Sequence, residues 1–344
     1  MAMRTQFLVL LAAGALASPL AEAQSPSATI SEGELLARLA AKLDSLAALD
    51  HFSGVVALVK NGSPIFQRVY GMADRGSRRK NDLHTAFNLG SINKVFTETA
   101  VRQLAAAGKL DLDSTLARYW RDYPNADVAS RVTIRQLLEH RSGVGGDIFA
   151  APRGGKRSDI RHNRDFLQLF VEEPLQFEPG TSRRYSNSGY IVLGELVERV
   201  SGKDYYEYIR RNVYEPAGMT RTAHFRPDSL PANTALGYTR GGRDAPQTAP
   251  LRSNTELLPG RGSAAGGGYS TVTDLLKFLG ALRGGKIPGA PPPGIGVAGG
   301  APGLNAVLVG GLPGGYDLVV LANLDPPTAV GIGEMVRRWL GARN

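Results

Sequence analysis

The amino-acid sequence predicts an α+β fold, in which an antiparallel sheet is flanked by helices and carries an inserted, mostly helical subdomain. Strand patterns lie near both ends of the chain, at residues 53–70 and 304–322, and helical periodicity dominates between them. The pair Asn61-Gly62 separates two β-rich runs and predicts a hairpin, which is an antiparallel pairing. One sheet with a helical insertion closing over an edge accounts for this order.

The composition limits the classes of protein to which the chain can belong. The chain has 344 residues, of which 42% are hydrophobic, so it can bury a large core. Its formal charge is +9, but the basic residues are scattered and form no aromatic-studded stripe, which argues against nucleic-acid binding. There is no cysteine, and the five histidines show no metal-ligand spacing. The sequence therefore predicts no metal and no cofactor.

The N-terminus has the pattern of a secretory signal peptide. Arg4 precedes an apolar run at residues 7–16, and small residues end in Ala21-Glu22-Ala23. We expect residues 1–23 to be removed before Gln24, and the protein to be periplasmic or secreted without a lipid-attachment cysteine. A membrane anchor is the weaker interpretation, because the apolar run is short for a span, and no later segment predicts a stable membrane span.

The remaining elements follow in chain order. Gly and Pro dominate residues 284–303, and a flexible linker is the simplest interpretation of that composition. Residues 286–296 can form neither a helix nor a strand, whereas the third motif, which begins at Val297, belongs to the predicted sheet part. We expect one domain at 24–344, with its sheet part at about 30–90 and 297–344 and its helical insertion at about 110–285. Periodicity and turn residues predict helices at 34–49, 91–107, 134–140, 186–200, 271–282 and 328–340.

The first candidate site motif is Ser91-x-x-Lys94 at the head of a predicted helix. Residues three apart lie on one helix face, so the hydroxyl and the amine are neighbours. A buried Lys can lose its proton near neutral pH, or act as a fixed charge that activates the Ser. A helix N-cap is the structural alternative for Ser91. A second copy, Ser77-x-x-Lys80, lies in a charged run and predicts a solvated loop.

The second motif is Tyr185-x-Asn187, just before an apolar helix. A Tyr hydroxyl close to a Lys ammonium would have its pKa lowered and could act as a general base. The Asn amide can hold a Lys or a substrate carbonyl. A core Tyr with a capping Asn is the structural alternative. Another copy, Tyr123-x-Asn125, predicts only a polar turn.

Taken together, the motifs resemble those of the serine β-lactamases and penicillin-binding-protein-like hydrolases. Ser91-x-x-Lys94 heads a helix, and Tyr185-Ser-Asn187 follows about ninety residues later, as in the class C β-lactamase and esterase branch. A Gly-rich stretch then precedes the final two strands. The resemblance covers residues 30–340 and includes flanking segments at 137–143, 177–180, 215–219 and 265–270.

This resemblance implies a role for each residue of the first two motifs. Ser91 is expected to be the acylated nucleophile and Lys94 its partner. Tyr185 is expected to be the general base that also protonates the leaving group. Asn187 is expected to orient the substrate.

A third motif departs from the family pattern. The family has Lys or His, then any residue, then Gly, leading into a Gly-Gly-x-Pro-Gly run, whereas here Val297 occupies the basic position. Gly299 and Gly300 are expected to contact substrate, and the N–H groups of Ser91 and Gly300 to form an oxyanion hole. Val297 offers neither a charge nor a hydrogen bond.

The predicted function is an exported serine hydrolase that acts through an acyl-enzyme on an ester, amide or β-lactam-like substrate. The expected partner is a small-molecule or peptide acyl substrate, and the oligomeric state stays open. No Ser lies in a Gly-x-Ser-x-Gly elbow, so another hydrolase class is not indicated. The alternative is a catalytically weak binding or cell-envelope protein, because the third motif lacks its Lys or His.

Overall fold

A computed structural model describes residues 30–241, 245–246, 248–288 and 294–341. The predicted signal peptide at residues 1–23 lies outside the described residues. Within the described ranges, no helix combines the length and the apolarity that a membrane crossing requires.

The described strands form one large antiparallel sheet and three short pairs. The large sheet has the order β2-β1-β11-β10-β9, so strands from both ends of the chain lie side by side. The small pairs are β3 with β4, β5 with β8 and β6 with β7. The bounds are β1 Gly54–Lys60, β2 Ser63–Tyr70, β3 Met72–Asp74, β4 Arg79–Lys80, β5 Phe87–Asn88, β6 Tyr238–Thr239, β7 Arg252–Ser253, β8 Tyr269–Ser270, β9 Gly296–Ala301, β10 Leu304–Leu312 and β11 Tyr316–Ala322.

Helices are the main regular structure of the chain between β5 and β9. The sequence predicted the main ones to within a few residues, because their apolar periodicity is strong. Short 3-10 turns and one π-helical turn, Arg210–Tyr214, connect them. The bounds are α1 Glu32–Ala48, α2 Asn93–Ala106, α3 Ala126–Arg131, α4 Ile134–Leu138, α5 Asn187–Ser201, α6 Tyr205–Ile209, α7 Glu215–Ala217, α8 Val272–Arg283 and α9 Thr328–Trp339.

Both faces of the large sheet are buried along its three central strands, β1, β11 and β10, because helices cover each face. Side chains alternate along a strand, so Val55 and Ala57 belong to one core while Val56 and Leu58 belong to the other. The first core also contains the helices of the insertion, and the second is closed by α1 and α9. The predicted α+β class, an antiparallel sheet flanked by helices with a helical insertion, is therefore confirmed.

The linker interpretation of residues 284–303 does not hold from residue 296 onward, where the chain becomes a strand close to the expected start of the sheet part at 297. Residues 296–301 form the edge strand β9, which pairs antiparallel with β10, from Gly296 opposite Val309 to Ala301 opposite Leu304. Gly weakens an isolated strand, but pairing with a neighbouring strand overrides that low propensity. This strand carries the third motif, so its place at the sheet edge sets one wall of the candidate site.

Candidate active site

Ser91 lies on a tight turn between the small strand β5 and helix α2. Gly90 has a φ of +50°, and the residues Gly90–Ile92 form a 3-10 turn that leads directly into α2. Only Gly fits there without strain, since a Cβ on Gly90 would lie 3.0 Å from the Gly300 nitrogen. The turn therefore presents the Ser91 side chain beside β9, at the start of a helix where backbone N–H groups are free to bind other partners.

The Ser91 hydroxyl contacts the two partners that the sequence assigned to it. The Tyr185 hydroxyl donates a hydrogen bond to Ser91 Oγ at 2.7 Å, and Lys94 Nζ lies 3.3 Å from the same oxygen. Lys94 is adjacent because it follows one helical turn later, whereas Tyr185 arrives from the loop before α5. The Ser91 hydroxyl therefore lies within reach of a phenol and an amine, the kinds of group that can exchange a proton with a hydroxyl.

Lys94 is almost completely buried, and its amine is held by two further acceptors. Its Nζ donates to Asn187 Oδ1 at 2.8 Å and to the Ala265 carbonyl oxygen at 2.5 Å. No acidic side chain is among its hydrogen-bond partners in the described part of the chain. Burial therefore lowers the pKa of Lys94 to about 7. A large fraction of its amine is neutral near physiological pH.

The predicted lowering of the Tyr185 pKa is wrong. Its side chain is 56% exposed, yet burial raises the pKa of Tyr185, and the hydrogen bond with Ser91 opposes this in part. Lys94 cannot lower it strongly for two reasons. The amine is itself partly neutral near pH 7, and Nζ lies over the tyrosine ring, 4.8 Å from its centroid. Tyr185 is therefore protonated in the resting site.

The His140 ring packs against the Tyr185 ring, and the sequence analysis did not assign His140 to the site. Its ring lies 4.6 Å from the Tyr185 ring, centroid to centroid, and its Nδ1 accepts a hydrogen bond from the Ser186 N–H at 3.2 Å. Burial is the main cause that lowers the pKa of His140 to about 4, so the ring is neutral. A neutral acceptor fixes the loop without adding charge near Lys94. The one available signal was its position at the end of a predicted short helix, and in the structure it lies two residues after α4 ends.

Asn187 is positioned by the start of α5. The preceding residue, Ser186, caps this helix by accepting from the Gly189 N–H at 2.9 Å and donates to the Val144 carbonyl at 2.6 Å. These two bonds fix the loop that carries Tyr185 on one side and Asn187 on the other. Ser186 is therefore the N-cap of α5 and Asn187 its first residue, so the alternative of a capping Asn is wrong. Tyr185 meets Ser91, and Asn187 meets Lys94.

A buried pair, Asn93 and His224, anchors the other end of the site and was also missed by the sequence analysis. Asn93 Nδ2 lies 2.7 Å from His224 Nε2, and Asn93 Oδ1 accepts from the Gly268 N–H at 3.0 Å. Burial is the main cause that lowers the pKa of His224 to about 3, so this ring is neutral. The pair ties the start of α2 to the Gly-rich turn that carries Ala265.

Gly299 and Gly300 bring β9 into close contact with the Ser91 turn. A Cβ on Gly299 would lie 2.0 Å from the Leu89 carbonyl oxygen and 2.8 Å from the Ser91 nitrogen. Gly299 is thus required for the approach of the two backbones. Gly300 follows it along the strand and borders the same cavity as Ser91.

Val297 lies on the same face of β9 as Gly299, because side chains two residues apart share a face. Its side chain is half-buried and packs against the core on the insertion side of the sheet. Ala298 is exposed and belongs to the opposite face. The position that holds Lys or His in the family pattern is therefore occupied by an apolar side chain on the site face.

The second copies of both motifs lie away from this site. Ser77 donates to Asp74 Oδ2 at 2.7 Å in an exposed turn, as the sequence predicted. Asn125 caps α3, but Tyr123 is buried with its ring 4.9 Å from that of Trp120, so the prediction of a polar turn is wrong for it. Neither copy contacts Ser91 or Lys94.

A cavity of about 280 Å³ opens beside Ser91, and we call it the site cavity. Asn187, Gly300 and the turn at 265–267 border it near Ser91. Side chains from residues 148–166 and 257–259, which both belong to the segment between β5 and β9, form its other walls. The nucleophile candidate therefore faces an enclosed space that a substrate can enter.

Comparisons with known proteins match most of the chain to one family. The model of the family described as Beta-lactamase matches residues 39–327. Penicillin-binding protein 4 of Amycolatopsis lactamdurans is 29% identical over 243 residues, which are 69% of this chain and 61% of that protein. The chain spans between 54% and 61% of the length of the first three curated relatives that it matches.

Two solved structures show the same fold with nearly complete coverage. A penicillin-binding protein from Bacillus halodurans has a TM-score of 0.74 at 30% identity, over 86% of this chain and 98% of that one. The D-amino acid amidase from Ochrobactrum anthropi SV3 has a TM-score of 0.74 at 25% identity, over 89% of this chain and 98% of that one. On the match over residues 39–327 and on these likenesses, the chain belongs to the beta-lactamase family.

Proposed function

We propose that this protein is a serine hydrolase that cleaves an ester, amide or β-lactam-like substrate through an acyl-enzyme on Ser91. One observation carries the proposal: Ser91 Oγ lies 2.7 Å from the Tyr185 hydroxyl and 3.3 Å from Lys94 Nζ, at the border of the site cavity. A hydroxyl between an amine of lowered pKa and a phenol is arranged for attack on an acyl carbon.

The contacts of Lys94 indicate how Ser91 loses its proton. A neutral amine has two N–H groups and one lone pair, while Nζ has three neighbouring polar atoms. Its two N–H groups satisfy Asn187 Oδ1 and the Ala265 carbonyl, at 2.8 and 2.5 Å. The lone pair is then left for the Ser91 hydroxyl. Neutral Lys94 accepts the Ser91 proton as Oγ bonds to the acyl carbon.

Tyr185 completes the proton balance. Because its pKa is raised, it holds its proton in the resting site and can donate it to the leaving group as the acyl bond breaks. The proton that Lys94 took from Ser91 then restores Tyr185. In the second half of the reaction, a water attacks the acyl-enzyme, gives a proton to the same pair and returns Ser91 Oγ–H. This division makes Lys94 the base and Tyr185 the acid for the leaving group.

The negative charge that develops on the acyl oxygen needs donors close to Ser91. We propose the N–H groups of Ser91 and Gly300 for this role, because Gly299 allows β9 to approach the Ser91 turn at backbone distance. Asn187 both fixes Lys94 and borders the site cavity, so its amide group is placed to meet the substrate.

The names of the similar proteins set the range of substrates. They include penicillin-binding proteins and a D-amino acid amidase, so acyl amides and peptide-derived groups join esters as candidate substrates.

We propose an exported protein with residues 1–23 as its signal peptide and residues 24–344 as one hydrolase domain, active in the periplasm or outside the cell. Detection of a mature chain beginning at Gln24 outside the cytoplasm tests the export proposal.

Covalent labelling tests the proposed function. We expect a fluorophosphonate probe to phosphonylate Ser91 with release of fluoride, so that its peptide gains the mass of the probe less HF. Penicillin G should acylate the same residue more slowly and add its full mass as the lactam ring opens. The alternative, a protein with weak or no catalysis, is favoured by one observation: Val297 stands where the family has Lys or His. Intact-mass and peptide analysis after incubation with each probe separates the two, since an unlabelled, correctly folded protein would favour the alternative.

Val297 leads to a prediction about substrate charge. A missing charge-assisted hydrogen bond costs roughly 1.5–3 kcal/mol, on the order of ten- to a hundredfold in rate or affinity. We therefore expect the wild type to turn over a neutral ester more readily than a penicillin. Val297→His is expected to raise kcat/KM for the penicillin by about ten- to a hundredfold and to change the neutral ester much less. Steady-state kinetics on both substrates measure the difference.

A matched control is available on the other face of the same strand. Ala298→His adds the same imidazole one residue away, but on the face opposite Gly299, so it should leave the ratio between the two substrates unchanged. Efficient penicillin hydrolysis by the wild type, or an equal gain from Ala298→His, would show that position 297 does not limit recognition of the carboxylate.

A further inference from the structure

The site cavity is lined mainly by apolar side chains. Phe166 is buried at its wall, while Phe225 and Leu258 are half-buried there. Arg157 is the charged side chain among the described residues that line it. Such a wall binds a substrate group by removing apolar surface from water, with few polar contacts to fix it.

The guanidinium of Arg157 connects two walls of the site cavity through hydrogen bonds. Its Nε donates to the Leu257 carbonyl at 2.9 Å, and its Nη1 donates to the Ile148 and Ala150 carbonyls at 3.1 and 3.0 Å. The guanidinium carbon also lies 5.8 Å from the centre of the Phe149 ring. These bonds connect the segment near 148 with the segment near 257. The site cavity is therefore preformed, and its cation is bound to backbone carbonyls.

The mouth of the site cavity exposes apolar surface that the fold leaves uncovered. Phe149 is 57% exposed and Leu257 is 47% exposed, and both line the cavity. Large apolar side chains that stay exposed around a concave site mark a binding surface. A third one, Leu49, is 61% exposed at the end of α1 and does not line the site cavity, so it serves as a reference.

We propose that the site cavity is an acyl-binding site that selects bulky apolar acyl groups over acetyl and over acyl groups that end in a charge. This inference rests on the proposed function, since it places the acyl group of the Ser91 acyl-enzyme in the cavity. The volume of about 280 Å³ lies near the lower end of the range for ligand pockets, so a phenyl ring or a six-carbon chain is the appropriate size.

A series of p-nitrophenyl esters tests the proposal. Acetate, butyrate and hexanoate are compared by kcat/KM, each divided by its rate of alkaline hydrolysis. A buried CH2 is worth about 0.8 kcal/mol, so we expect about a fourfold gain for each added CH2 until the site cavity is full. The mono-p-nitrophenyl ester of adipic acid has the hexanoyl length but ends in a carboxylate, and we expect it to fall below the hexanoate. A flat series, or a preference for the adipate, would overturn the proposal.

Three variants locate the effect. Phe149→Ala removes an exposed wall and should reduce the gain per CH2, and Leu258→Trp should fill the cavity and reverse the preference while acetate is still hydrolysed. Leu49→Ala removes an equally exposed apolar side chain elsewhere and should change nothing. If Leu258→Trp and Phe149→Ala both leave the chain-length dependence as in the wild type, the acyl group does not bind in the site cavity.

Binding without chemistry separates this inference from the proposed function. The Ser91→Ala protein is titrated with acetamide and with hexanamide, and calorimetry gives the two affinities. Tighter binding of hexanamide that Phe149→Ala weakens supports the apolar site even if no ester is ever turned over. Ser91-dependent turnover without any preference for hexanamide or hexanoate refutes the apolar site and leaves the hydrolase proposal standing.

Discussion

Replacing Ser91 by Ala is expected to reduce ester hydrolysis by on the order of 10⁴-fold or more, to the background of the assay. The Oγ atom is the one group that lies between Lys94 Nζ and the Tyr185 hydroxyl, so no neighbour can take its place. Folding should be nearly unchanged, because the side chain is small and only half-buried. The measurements are kcat/KM on p-nitrophenyl butyrate and the thermal unfolding midpoint.

Ser77→Ala is the matched control. It removes an identical hydroxyl from the other Ser-x-x-Lys motif, where Ser77 is bonded to Asp74 in an exposed turn. We expect full activity and a small loss of stability at most. If Ser77→Ala lost activity and Ser91→Ala kept it, the nucleophile assignment would be wrong.

Local spacing was enough to predict some of the candidate site, but not its assembly. Ser91 and Lys94 meet because residues three apart on a helix are neighbours, and that spacing can be read directly from the sequence. Tyr185 is far away along the chain, and only the resemblance to a family connected it with Ser91. The Ala265 atom that accepts a hydrogen bond from Lys94 is a backbone carbonyl oxygen. Every residue type carries one, so the sequence could not indicate this contact. His140 was missed because its contact with the Tyr185 ring depends on tertiary packing.

Burial and strand pairing account for the predictions that failed, including the burial of Tyr123 in a segment that was expected to be a polar turn. The sequence shows that a Lys and a Tyr are close, but the sign of the Tyr185 shift depends on how far each group is removed from water. Likewise, the Gly-rich composition of residues 284–303 predicts flexibility, whereas the partner strand β10 imposes an extended conformation on 296–301. Both properties belong to the folded molecule and cannot be read from a short stretch of residues.

Replacing Lys94 by Met is expected to lower kcat/KM by about 10²–10⁴-fold, the usual contribution of a general base. In the wild type, the pKa of Lys94 of about 7 should appear as the acidic limb of the pH profile, with activity rising through pH 7 as the amine loses its proton. Lys94→Arg keeps a charge that does not titrate in this range. If neutral Lys94 is the base, Arg should be as inactive as Met. Activity retained by Arg would instead indicate that a fixed positive charge is what Ser91 requires.

The same pKa predicts a stability difference that is independent of catalysis. Burial holds the folded-state pKa of Lys94 near 7, whereas an exposed Lys in the unfolded chain has its usual value of 10.5. Between these values the unfolded state binds more protons at this group, so the free energy of unfolding should rise as pH increases from about 7 to 10.5. Below pH 7 both states hold the proton, and the cost of burying the cation is present in full.

Urea unfolding of the wild type and of Lys94→Met between pH 7 and 10.5 isolates the effect as a difference, because the two proteins share all other groups. The rise should be smaller in the Met variant. If the free energy of unfolding rose equally with pH in both proteins, Lys94 would titrate at its ordinary pKa. It would then be protonated near pH 7 and could not act as a neutral base.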